Sequence, residues 1–240
     1  MIRALLLDLD DTLLINDWDA FFPPYLEALV RHMAPLMPGT RFMAAFDAGT
    51  RAMMRSDGTQ GTLDRVFVRV FLEQAGSEPT ETLARLSAFY ADEFDQLQAY
   101  TAQDPAALEL VTLAREANLK LAVATQPLFP LEAVMARLRW AGVPHEQVAY
   151  EHLAAYDVHT VCKPAVGYFE SVLADLGVSP HEALMAGDSA SADMPARRLG
   201  IKTYYVERGR DGAGQTLTCD ARGSLAGLVE LLRSGAIHEL

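Results

Sequence analysis

Seven residues of this 240-residue sequence have the types and spacing of a reactive centre. Asp8 and Asp10 stand two apart directly after the apolar run 2–7, with Thr12 close behind. Thr125 closes a second apolar run, 119–125, and Asp188 and Asp193 follow a third at 183–186. Lys163 precedes the apolar-periodic segment 166–176. Four carboxylates brought into one crevice raise one another's pKa unless a cation compensates them. A hard divalent ion with oxygen ligands does so, and magnesium suits such a site because it takes a few carboxylates, waters and a substrate phosphate. Phosphoryl transfer then requires an in-line nucleophile, positive charge on the equatorial oxygens and a proton for the departing alkoxide. Carboxylates, a lysine and a hydroxyl supply these parts.

Such residues meet only if the runs before them end at one edge of a sheet. The runs 2–7, 119–125, 183–186 and 203–206 are continuous and apolar, as in strands covered on both faces, and a further short strand is expected near Val148. Segments 105–117, 131–141, 166–176 and 191–199 carry helical spacing between them, with Asp104 and Pro105 as a cap and first-turn pair. Strands alternating with helices form parallel βαβ units, and ligands of such sheets bind outside the carboxyl ends of the strands. From 16 to 103 no comparable strand occurs, and 18–33, 42–54, 63–74 and 81–97 read as helices. The expected architecture is a doubly wound, Rossmann-like α/β core of residues 1–15 and 104–240 with an inserted all-helical cap domain, 16–103. The glycine-rich stretch 209–214 opens no helix and reads as a surface turn rather than a phosphate loop.

Composition narrows the function classes. A net charge of −12 repels nucleic acid and anionic membrane surfaces. No run reaches the roughly 18 apolar residues of a membrane helix. Cys162 and Cys219 cannot build a disulfide framework, so a reducing cytoplasm is the expected location. The expected partner is a small-molecule phosphate ester, with neither nucleic acid nor membrane, and the sequence leaves the oligomeric state open.

LLLDLDDTLL at 5–14, VATQP at 123–127, Lys163 in VCKP and GDSASAD at 187–193 together resemble the four motifs of the haloacid dehalogenase superfamily, in order and over the whole chain. The resemblance implies that Asp8 is the nucleophile, forming an aspartyl-phosphate and binding Mg2+ through its other oxygen. It makes Asp10 the general acid and base, with its carbonyl on the metal. Thr125 would bind the transferring phosphoryl group, Lys163 would neutralise charge, and Asp188 and Asp193 would complete the metal site. Dehalogenases of the family lack an acid two residues after the nucleophile, and phosphonatases use a cap lysine that 16–103 does not contain. A magnesium-dependent phosphatase is therefore implied, with a phosphomutase of sugar phosphates or a catalytically idle binding protein as alternatives. Gln126 and Pro127 depart from the usual second motif.

Two other features read as ordinary structure. Arg41, Arg51, Arg55, Arg65 and Arg69 form a solvated cap face, with one or two as candidates for a substrate's distal charge. Trp18, Phe21 and Phe22 read as cap core. The six histidines lack metal-ligand spacing and receive no role.

Overall fold

The computed structural model describes residues 1–208 and 217–240, so the glycine-rich stretch 209–214 falls outside the described residues. β1 (Ala4–Leu7) is buried along its whole length and runs into the acidic turn. β2 (Leu14–Asn16) leads to helices α1 (Trp18–Met33), α2 (Gly39–Met54), α3 (Leu63–Ala75) and α4 (Pro79–Asp92). After a 3-10 stretch, Phe94–Tyr100, the chain returns through β3 (Thr101–Gln103) to α5 (Pro105–Glu116). Then follow β4 (Lys120–Val123), α6 (Leu131–Trp140), β5 (His152–Leu153), α7 (Val166–Leu176) and β6 (Ala183–Gly187). A 3-10 stretch, Met194–Leu199, precedes β7 (Lys202–Val206), β8 (Ala221–Gly223) and α8 (Leu225–Ser234).

Six of these strands form one sheet in the order β5-β4-β1-β6-β7-β8, and every pairing within it is parallel. Alternation along β1 divides the core. Leu5 and Leu7 join the apolar cluster on one face, whereas Ala4 and Leu6 join a second cluster built on α7. Asp104 caps α5 by accepting from the Ala106 N–H at 2.9 Å, with Pro105 in the first helical turn as the sequence predicts.

β2 and β3 pair antiparallel as a separate ribbon, Leu14 against Gln103, so the two connections to the helical block run side by side. The block packs on the sheet region through one continuous apolar cluster. Phe94 stacks on Trp140 at 5.1 Å, and the Trp140 indole donates to Asp95 at 3.0 Å. Of the aromatics expected in the cap core, Phe21 is buried, but Trp18 and Phe22 are 36% and 41% exposed. Arg41, Arg51, Arg55, Arg65 and Arg69 are all exposed, with Arg51 paired to Asp47 and Arg69 to Gln60.

Several elements differ from expectation. The strand expected near Val148 forms instead at His152–Leu153, because only two residues reach β4 in register. The segment 191–199 is a short 3-10 stretch that starts at Met194, with Pro195 in its first turn, and ends at Gly200, where φ is 90°. The helix expected over 81–97 breaks at Glu93. β8 and α8 were not foreseen.

Candidate active site

The turn after β1 places Asp8 at the carboxyl edge of the sheet, its N–H donating to the Ala186 carbonyl at 2.9 Å. Lys163 reaches the same point from the loop before α7. Its Nζ donates to Asp8 Oδ1 at 2.8 Å and to Asp193 Oδ1 at 2.5 Å. The second oxygen of Asp193 accepts the Ser189 N–H at 2.9 Å. Asp8, Asp188 and Asp193 each present a carboxylate oxygen within 4.8 Å of the others. Asp193 lies so close against β6 that a Cβ on Gly187 would collide with its carboxylate.

Electrostatics follow from that packing. Burial lifts the Asp8 carboxyl well above its ordinary range; Lys163 opposes the shift, and Asp193 and Asp188 add to it. Asp188 is pushed up to about 7 by burial and then by Asp193 and Asp11, with Lys163 again opposing. Burial works against the Lys163 charge, yet Asp193 and Asp8 outweigh it and hold the ammonium well above its usual value. One lysine therefore does not offset the crowded acids. Carboxylate oxygens gathered this closely, with Asp8 and Asp193 buried and Asp188 half-buried, are the donor set of a hard divalent cation, and Asp8 and Asp188 are the residues that fit one. Asp193 differs, because both of its oxygens already accept hydrogen bonds.

Thr125 lies two residues beyond β4, buried, with its carbonyl accepting the Tyr168 hydroxyl at 2.8 Å. Gln126, which departs from the usual motif, clasps the lysine loop: its Oε1 accepts the Lys163 N–H at 2.9 Å and its Nε2 donates to the Lys163 carbonyl at 3.2 Å. Thr12 is buried; its carbonyl accepts Arg208, and its hydroxyl has no partner among the described residues. Arg208 also donates to the Asp11 carbonyl at 2.7 Å and pairs with Asp104 at 2.5 Å, tying the first acidic turn to the second connection of the helical block.

Asp10 is buried but outside the three-carboxylate cluster. Its Oδ1 accepts Asn16 Nδ2 at 2.9 Å, and its Oδ2 is paired with Arg137 of α6. The sequence motifs do not mark Arg137, Asn16 or Arg208, and they show Gln126 only as a departure from the second motif. For Arg137 a signal exists: Ala133, Ala136, Arg137 and Trp140 lie at helical spacing on one buried face, so a charged residue occupies an apolar position.

A parallel sheet with helices on both faces, a helical insertion after its first strand and an acid–lysine cluster at its carboxyl edge define a hydrolase of the haloacid dehalogenase type. The haloacid dehalogenase-like hydrolase family matches residues 2–199, and the chain belongs to it. It is 28% identical over 241 aligned residues to a phosphoserine phosphatase of Thermus thermophilus, covering 86% of this chain and 89% of that protein. It is 27% identical over 211 aligned residues to a phosphoglycolate phosphatase of Rhodospirillum rubrum, covering 87% and 81%. The fold is shared with a 2-haloacid dehalogenase of Pseudomonas syringae pv. Tomato, with a TM-score of 0.64, 18% identity, and 98% and 100% of the two chains aligned. No helix among the described residues is long and apolar enough to cross a membrane.

Proposed function

We propose that this hydrolase removes phosphate from a small phosphorylated metabolite through an aspartyl-phosphate on Asp8, with magnesium as its cation. Its standing as a phosphoric monoester hydrolase rests on the family and on its phosphatase-named relatives. The observation that carries the finer reading is the meeting of Asp8, Asp188, Asp193 and Lys163 at one sheet edge.

In the first half-reaction, one Asp8 carboxylate oxygen attacks phosphorus and forms an O–P bond as the ester P–O bond breaks. The departing alkoxide takes a proton from Asp10. In the second, water attacks the aspartyl-phosphate, gives a proton to Asp10 and releases inorganic phosphate. Lys163 and the Thr125 hydroxyl bind the transferring group, and Gln126 fixes the loop that carries the lysine. Asp8, the Asp10 carbonyl and Asp188 would hold magnesium, which when bound neutralises charge on the phosphoryl oxygens. Asp193 supports the site through Lys163 and the Ser189 N–H. The helical block 16–103 acts as a cap domain over this edge, rooted in the β2–β3 ribbon and shielding the reaction from bulk water.

A screen of phosphoserine, phosphoglycolate, sugar phosphates and nucleotides, each with and without magnesium, tests this reading. Release of phosphate from at least one small ester, only with the metal, is the expected result; metal-independent release, or turnover of none, contradicts it.

A further inference from the structure

Arg137 has none of its surface exposed. Its Nη1 meets Asp10 Oδ2, its Nε donates to the Ala133 carbonyl one turn back at 3.2 Å, and its guanidinium carbon lies 4.3 Å above the Phe129 ring. Its Nη2 is buried without a partner among the described residues.

Stability alone does not account for this arginine. Desolvating two charges costs about as much as their attraction returns, and an apolar side chain of similar volume often serves a core equally well or better. The neighbouring buried positions of α6, Ala133, Ala136 and Trp140, are already apolar or aromatic. What the guanidinium touches is the carboxylate two residues from the nucleophile. A planar fork fixed by a carbonyl on one edge and an aromatic ring on its face can meet a carboxylate oxygen from one direction only.

We propose that Arg137 is a positioning residue for proton transfer by Asp10: the carbonyl of Ala133 and the Phe129 ring orient the guanidinium, and the guanidinium aims the carboxylate at the leaving-group oxygen. The proposal rests on Asp10 being the acid and base. Lysine offers a point charge rather than a fork, so it keeps the charge without the aim.

The test measures kcat and KM for phenyl phosphate and p-nitrophenyl phosphate in the wild type, Arg137→Lys, Arg137→Met, Asp10→Asn and the Arg137→Met/Asp10→Asn double variant. Thermal midpoints identify any variant that fails to fold; if Arg137→Met does, Arg137→Lys carries the comparison. Each Arg137 variant should lower kcat about 10-fold or more for phenyl phosphate, whose leaving group needs a proton, and less than about threefold for the nitrophenyl ester, with little change in KM. In the Asp10→Asn background the further loss should nearly vanish. Equal losses on both esters from the Arg137 variants, beside graded losses from Asp10→Asn, overturn the proposal alone. Equal losses from Asp10→Asn itself overturn the acid assignment and this proposal with it.

Discussion

The ammonium of Lys163 lies 2.8 Å from an oxygen of Asp8, a residue 155 positions earlier in the chain, and bridges from there to Asp193. Lys163 is thus both the counter-charge of Asp8 and the link between two motifs. Lys163→Met should lower kcat by roughly 10²–10³, the usual scale for removing one preorganised charge from a phosphoryl or oxyanion site. It should also lower the thermal midpoint, because two buried acids then face each other uncompensated. Steady-state kinetics and a melting curve check both effects.

Metal removal addresses the same charge balance from the other side. Activity should vanish in excess EDTA and return with magnesium, while calcium, with looser and larger coordination, should restore little. Asp188→Asn should raise the magnesium concentration for half-maximal activity at least about tenfold. A magnesium titration of wild type and variant measures this.

Gly187 ends β6 where the Asp193 carboxylate packs on the backbone. Gly187→Ala should cost about 1–3 kcal/mol, as overpacking of a rigid interior does, and should reduce turnover by moving the acid that anchors Lys163. Urea unfolding gives the stability change, and kcat on the same preparation gives the functional one.

A buried histidine pair predicts a pH signature away from the reaction centre. His152 and His159 meet Nε2 to Nε2 at 3.0 Å, with Asp175 on the far nitrogen of His152 and Ser171 on that of His159. Burial, then the neighbouring His152, holds His159 down to about 3, so the folded protein resists a proton that the unfolded chain accepts near 6.5. The contribution of His159 is therefore complete above pH 6.5 or so, and is lost as pH falls from there toward 3, with a limiting slope of about 1.4 kcal/mol per pH unit. His159→Phe keeps a ring against Tyr168 and removes the titration. The stability difference between wild type and variant should shift against the wild type between pH 7 and pH 5 in urea titrations; a constant difference contradicts the assignment.

The legible parts of this molecule were those encoded in neighbouring residues. An apolar run ending abruptly in Asp8 marks β1 because a strand covered on both faces is apolar along most of its length, and the same logic finds β4, β6 and β7. Asp104 and Pro105 marked the start of α5 through local capping chemistry. The hidden parts depend on partners distant in sequence. The β2–β3 ribbon has three residues a side, too few for any periodicity, and exists because 14–16 meets 101–103. β5 sits at His152–Leu153 because β4 offers register there, whereas the apolar residue nearby, Val148, lies in a turn. Asp10 was visible as a candidate acid, but its partner Arg137 lies 127 positions away and shows only as a charge on an apolar helix face. Gln126 departs from the usual second motif, and its amide meets both backbone polar groups of Lys163.

The most direct test of the account is the site of phosphorylation during turnover. Wild-type enzyme with p-nitrophenyl phosphate and magnesium, quenched in acid within one turnover and digested, should yield one phosphoryl group on the peptide that carries Asp8, removable by hydroxylamine and absent from Asp8→Asn. A burst of nitrophenol with that peptide unmodified, or with the phosphoryl group on another residue, would contradict the assignment of Asp8 as the nucleophile.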